Sequence, residues 1–98
     1  MTPEQHMLVK LAEECDEVSQ RALKQVQFGP DEVQNGQELT NKERLTGEVK
    51  DLLAILTMLA EMGQVEYLSP VDMIDHTIMK RAKIAKYYNL SKSLGMVE

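Results

Sequence analysis

Tryptophan is absent from this 98-residue sequence, Phe occurs once and Tyr three times. A core built on large aromatic rings is therefore excluded, and packing falls to Leu, Ile, Val, Ala and seven Met, which suits helices. The single cysteine, Cys15, excludes an intramolecular disulfide framework and a zinc site of spaced cysteines. No apolar run is long enough to span a bilayer, and no basic stretch followed by an apolar one marks secretion, so the expected compartment is the cytoplasm, with no membrane partner. Basic residues are few, 11 against 16 acids, for a net charge of −5. A nucleic acid polymer is a poor partner for such a chain, although a local basic patch would serve a small nucleotide. Gly-rich phosphate loops, GxSxG elements, internal repeats and alternating strand patterns are missing as well.

What is present reads as an all-α fold. Gly totals 5 and Pro 3, and apolar residues make up 43% against 28% charged, the balance of a folded domain. Thr2-Pro3-Glu4-Gln5 opens a first helix, with Thr as N-cap, Pro where its missing N–H costs nothing and Gln closing a capping box. Met7, Leu8, Leu11, Cys15, Val18, Ala22 and Val26 form its apolar stripe, and Gly29-Pro30 ends it after Phe28. Residues 29–39 read as a loop with a short helical turn at Asp31–Gln34. Thr40-Asn41-Lys42-Glu43 is a second capping box, followed by Leu45, Val49, Leu52, Leu53, Leu56, Leu59 and Ala60. This most hydrophobic segment is expected to be central and to reach Glu61 or beyond, with Gly63 as one stop and the turn before Pro70 as the other. Ser69-Pro70 opens a third helix, its inner face lined by Val71, Ile74, Ile78, Ala82 and Ala85 to about Tyr88. Asn89 to Glu98 is expected as a tail that docks through Leu90, Leu94 and Met96. The result is one domain over residues 1–98: a helical bundle of three main helices plus a C-terminal tail. A chain this short buries only about 60–65% of its unfolded surface. Completion of the core by oligomerisation is therefore expected.

The acids are placed oddly for a solvated surface. Four occur within five residues, Glu13, Glu14, Asp16 and Glu17, and Glu48-Val49-Lys50-Asp51 answers them in the second helix. Projection at about 100° per residue puts Glu14 beside the apolar stripe and Glu17 one step further out. Glu48 falls inside the second helix's apolar arc, with Asp51 on its edge, and Asp75 lies between Val71 and Met79 in the third. Acids bordering a core need a proton, a basic partner or a metal. A hard cation such as Mg²⁺ fits carboxylate ligands, and two such pairs on two helices favour it more than one would. The bland alternative for each pair is a solvated face, and for Asp75 a carboxylate paired to a Lys. Neither His6 nor His76 follows a Glu by three residues, which argues against a ferritin-like di-iron site. Lys80, Arg81, Lys83 and Lys86 read singly as a solvated face complementing the helix dipole, and as a group as a phosphate clamp. Cys15 reads as a core residue.

With Glu14-Cys15-Asp16-Glu17 and Glu48-Val49-Lys50-Asp51 on successive helices, followed by Leu52-Leu53-Ala54-Ile55-Leu56, residues 8–88 resemble the MazG-like branch of the all-α nucleoside triphosphate pyrophosphohydrolases. Two features depart from the family's pattern. Thirty residues separate Glu17 from Glu48, somewhat more than the family usually has, and Asp72 and Asp75 stand ahead of Lys80 where many relatives carry Asn and Lys.

The resemblance implies that Glu14, Glu17, Glu48 and Asp51 bind Mg²⁺, with Mn²⁺ as a substitute; Asp75, from its place on the edge of the third helix's apolar face, is read as standing behind the direct ligands. The resemblance further implies cleavage of a (d)NTP between the α and β phosphates, giving (d)NMP and pyrophosphate, by a homodimer or homotetramer. Glu17 and Glu48 are then the catalytic candidates, with Glu17 orienting the attacking water, and Lys80, Arg81 and Lys83 take the phosphates. The competing expectation is a non-catalytic helical interaction or nucleotide-binding module with an acidic face.

Overall fold

The computed structural model describes residues Met1–Glu98, all helical and without strands, as α1 (Pro3–Phe28), α2 (Asn41–Glu61) and α3 (Pro70–Ser93). The chain divides into two compact units, Met1–Glu66 and Tyr67–Glu98. No helix is long and apolar enough to cross a membrane.

In the first unit both capping boxes form. The Gln5 N–H donates to Thr2 Oγ1 at 3.1 Å while the Thr2 N–H donates to Gln5 Oε1 at 2.8 Å. At α2 the Glu43 N–H donates to Thr40 Oγ1 at 3.1 Å and the Thr40 N–H to Glu43 Oε1 at 3.2 Å. The loop between the helices supplies what the second box leaves out. The Asn41 N–H donates to Glu32 O at 2.9 Å and the Lys42 N–H to Pro30 O at 3.0 Å. Every otherwise orphaned N–H at positions 41–43 of α2 thus has an acceptor. The loop has turns at Pro30–Asp31 and Asn35–Gly36, and the helical turn expected at Asp31–Gln34 does not form. Its carbonyls are committed instead to the start of α2.

The Asn41 amide nitrogen donates to Gly29 O at 2.8 Å, tying the end of α1 to the start of α2. Glu14 and Glu17, near the middle of α1, meet Glu48 of α2. Two such contacts along the pair require the helices to lie side by side and antiparallel.

The half-buried residues of α1 include Glu4, Met7, Leu11, Glu14, Val18, Arg21 and Gln25, at alternating spacings of three and four. Those of α2 include Leu45, Glu48, Leu52 and Ile55, with Asn41 and Leu59 fully buried at the two ends of the same series. Both series follow the period of a coiled-coil-like seam. The expected stripe of α1 is corrected accordingly. Met7, Leu11 and Val18 lie in the seam, whereas Cys15 and Ala22 are exposed and Val26 is 87% exposed. A stripe read at 3.6 residues per turn drifts off a seam that repeats every 3.5.

Gly63 ends α2. Its φ of 72° is left-handed, its N–H donates to Ala60 O at 3.0 Å and the Gln64 N–H donates to Leu59 O at 2.9 Å, the paired bonds of a Schellman cap. Gly47, in mid-helix, has open space where a Cβ would lie. Gly47→Ala should raise stability by about 0.5–1 kcal/mol through helix propensity, read as a higher thermal midpoint. A lower midpoint would mean that another helix approaches α2 closely there.

The second unit carries one helix, and its end differs from expectation. α3 does not stop near Tyr88 but continues through the first residues of the expected tail to Ser93. A second Schellman cap stops it: Gly95 has φ 76°, its N–H donates to Lys92 O and the Met96 N–H to Ser91 O. The Tyr88 hydroxyl donates to Glu98 O, which draws the last residues back along the helix. The inner face assigned to Val71, Ile74, Ile78, Ala82 and Ala85 is exposed, with Ile74 at 62%. One helix offers nothing within its own unit to cover them.

Candidate metal centre

The site is built where the seam runs through acids. Glu14 occupies a seam position of α1, half-buried between Leu11 and Val18, and Glu17 follows one turn later, exposed at the seam's edge. Glu48 occupies the facing position of α2, half-buried between Leu45 and Leu52. One carboxylate oxygen from each of the three lies within 4.8 Å of the others. Glu14 Oε1 and Glu48 Oε2 are shut off from solvent and have no hydrogen-bond partner. No basic side chain answers them, because the chain's one side-chain ion pair is Lys10–Glu13, at 3.1 Å on the exposed face. Lys50, though between Glu48 and Asp51 in sequence, borders a groove with Lys42 and Thr46 instead.

Asp51 is exposed and outside the trio of converging oxygens, yet its charge acts on both Glu17 and Glu48. Glu13 and Asp16 are exposed. Asp75, Lys80, Arg81 and Lys83 stand on α3 in the second unit, all exposed. Lys80 and Lys83 border a groove of about 330 Å³ with Ile84, Tyr87 and Tyr88.

Crowding among the acids shows in their protonation. The Glu17 carboxyl is raised above its ordinary 4.5, first by its side-chain contact with Glu48, then by that residue's charge, by burial and by the charges of Glu13 and Asp51. Glu48 is raised too: contact with Glu14 leads, burial follows, and the contact with Glu17 pulls the other way.

Both groups hold protons more tightly folded than unfolded. Their contribution to stability is full below 4.5 and is lost as pH rises through the raised folded values. Glu43 works in the opposite sense: the Thr40 N–H, then the Thr40 hydroxyl, lower it, so its contribution is present above 4.5 and lost as pH falls. In denaturant unfolding with EDTA, the metal-free protein should lose stability as pH rises above 4.5 on account of Glu17 and Glu48. Glu17→Gln should flatten that loss, and an unchanged slope would refute the close contact.

Three carboxylates fit a hard divalent cation. Oxygens bound to Mg²⁺ at 2.0–2.1 Å stand roughly 2.9 to 4.2 Å apart, within the side-chain reach of oxygens already inside 4.8 Å. The two occluded oxygens without partners are the groups a cation would satisfy.

Sequence reasoning passed over three polar residues of the seam, Arg21, Gln25 and Asn41, each of which has a solvent-shielded side-chain atom without a partner. The signal for them was the three-and-four spacing itself, followed through polar residues as well as apolar ones. No family model, curated protein or solved structure matches this chain, so what can be said of its chemistry rests on these residues and their motifs.

Proposed function

We propose that the chain is a Mg²⁺-dependent nucleoside triphosphate pyrophosphohydrolase of the MazG-like type, active on (d)NTPs in the cytoplasm. The observation that carries this reading is the convergence of Glu14, Glu17 and Glu48 from two helices, with two shielded oxygens and no cationic side chain to pair them. Glu14, Glu17 and Glu48 would hold the ion, with Asp51 adding charge beside them, and Mn²⁺ would substitute. Bound there, the cation supplies Lewis acidity, neutralising charge on the phosphates and lowering the pKa of an attacking water.

The remaining work falls to side chains. Glu17 is the exposed member of the trio, which leaves its carboxylate within reach of water and suits a general base. It orients the water and takes its proton as oxygen adds to the α-phosphorus and the bond to the β-phosphate oxygen breaks. Nucleoside monophosphate and pyrophosphate result. Glu48 contacts both Glu14 and Glu17 and so fixes Glu17's position. Lys80, Arg81 and Lys83 are exposed cations available to phosphate. The test is pyrophosphate release from a panel of NTPs and dNTPs with and without Mg²⁺; release from none of them would sink the enzyme reading.

We also propose a homodimer or homotetramer. Its support is the uncovered apolar surface of α3, where Ile78 and Met79 are 64% and 68% exposed, and a first unit with Leu59 as its one fully buried apolar residue. Light scattering should give a multiple of 11.1 kDa. The same surface supports a second reading, a non-catalytic interaction module, which predicts no stabilisation by Mg²⁺ and tolerance of single Glu→Gln changes.

A further inference from the structure

Three cations are half-buried in this chain: Arg21, Lys24 and Arg44. Two are committed. Lys24 Nζ stands over the Phe28 ring, 5.6 Å from its centroid, and Arg44 Nη1 donates to Gln34 Oε1 at 2.8 Å. Arg21 is the exception: its Nη1 is shielded from water and has no acceptor. It lies one turn after Glu17, about 6 Å along the helix axis, and two turns after Glu14 on the same seam stripe. That spacing commonly yields an ion pair, yet Arg21 pairs with none of the acids. Arg21 follows the acid trio along the same helix stripe and pairs with none of its members, so its guanidinium has donors to offer an anion brought in by the trio's cation, and leaving a shielded donor unpaired is costly.

We propose that Arg21 binds the phosphate oxygens of the nucleotide's leaving pyrophosphate group at the edge of the acid trio, within the first unit and independently of the cations of α3. This inference rests on the reading above that the trio binds a metal–phosphate ligand. Planar, paired N–H donors match phosphate oxygens where a Lys would offer only a point charge. Arg21 would thereby neutralise charge that grows as the bond to the α-phosphorus breaks, and no proton need leave it.

The test is equilibrium binding of Mg²⁺ alone and of pyrophosphate in the presence of Mg²⁺, for the wild type, Arg21→Gln and Arg21→Lys, with circular dichroism as the folding control. Arg21→Gln is expected to bind Mg²⁺ within about threefold of wild type, since it removes no ligand, and to bind pyrophosphate about tenfold or more weakly. Arg21→Lys should fall between, keeping charge but losing the fork, and it reads the same effect if the Gln variant does not fold. Unchanged pyrophosphate affinity in the folded variants would overturn the assignment, as would a parallel loss of Mg²⁺ affinity, which marks a brace of the seam. Absence of Mg²⁺-dependent pyrophosphate binding in the wild type would overturn it too. A wild type that binds pyrophosphate but releases none from any nucleotide defeats the enzyme reading alone and leaves the Arg21 measurement valid.

Discussion

Replacing Glu48 by Gln is expected to lower pyrophosphate release by about 10²–10³-fold, the size of effect seen when one preorganised electrostatic group is removed from an active site. Glu48 is the member of the trio that contacts both of the others, and one of its oxygens is shielded without a partner. On the proposed reading, the amide removes a charge from the cation's ligand set and loosens the group that positions Glu17. The same change should make the metal-free protein more stable at neutral pH, because it relieves a crowded carboxylate whose pKa is raised. Stabilisation by Mg²⁺ should shrink in parallel, while circular dichroism stays unchanged. Thermal unfolding with EDTA and with Mg²⁺, beside the activity assay, separates these effects. Lost activity with a lower metal-free midpoint would make Glu48 a structural residue instead. Asp51→Asn should cost less activity, since that carboxylate stands outside the converging trio.

Asn41→Ala is expected to destabilise the fold by about 2–4 kcal/mol, the combined scale of two lost hydrogen bonds, newly unpaired acceptors and a small cavity. Asn41 is 2% exposed, and its amide nitrogen serves both Gly29 O at 2.8 Å and Glu32 Oε1 at 3.2 Å. Removing it frees the end of α1 from the start of α2 and leaves the Gly29 carbonyl unpaired. Asn41→Asp should be no milder, because it withdraws the donor and sets a second carboxylate against Glu32. Denaturant unfolding followed by circular dichroism measures both variants. A loss under about 0.5 kcal/mol, the range of an ordinary surface change, would show that the backbone bonds from Asn41 and Lys42 hold the loop without the side chain.

Local rules carried the reading of the helices. Thr2, Thr40 and Ser69 cap as expected, because a cap depends on a side chain and the backbone three residues away. The end of α3 is equally local, written in Gly95, whereas the apolar face of Val71 to Ala85 predicts an end near Tyr88, five residues before the helix stops at Ser93. Packing was less legible. Cys15 and Val26 look like core by their apolar character, and Arg21 and Gln25 look like surface, yet the seam takes the second pair and leaves the first outside. Neighbouring helices meet along a geometric line, and polarity alone does not say on which side of it a residue falls.

By itself, then, the sequence determined an all-α chain of three helices, the caps that begin and end them, and the spacing that puts Glu14 and Glu17 on one helix and Glu48 on the next. These are properties of a few neighbouring residues and of the helical repeat. Only the tertiary structure decided that α1 and α2 run antiparallel with Glu14 facing Glu48, that one oxygen of each acid comes within 4.8 Å of the others, and that no cation pairs them. It also decided that Arg21 stands next in line without a partner. Distances between residues remote in sequence depend on how the Asn41 latch and the seam align two helices, and no local pattern carries that alignment.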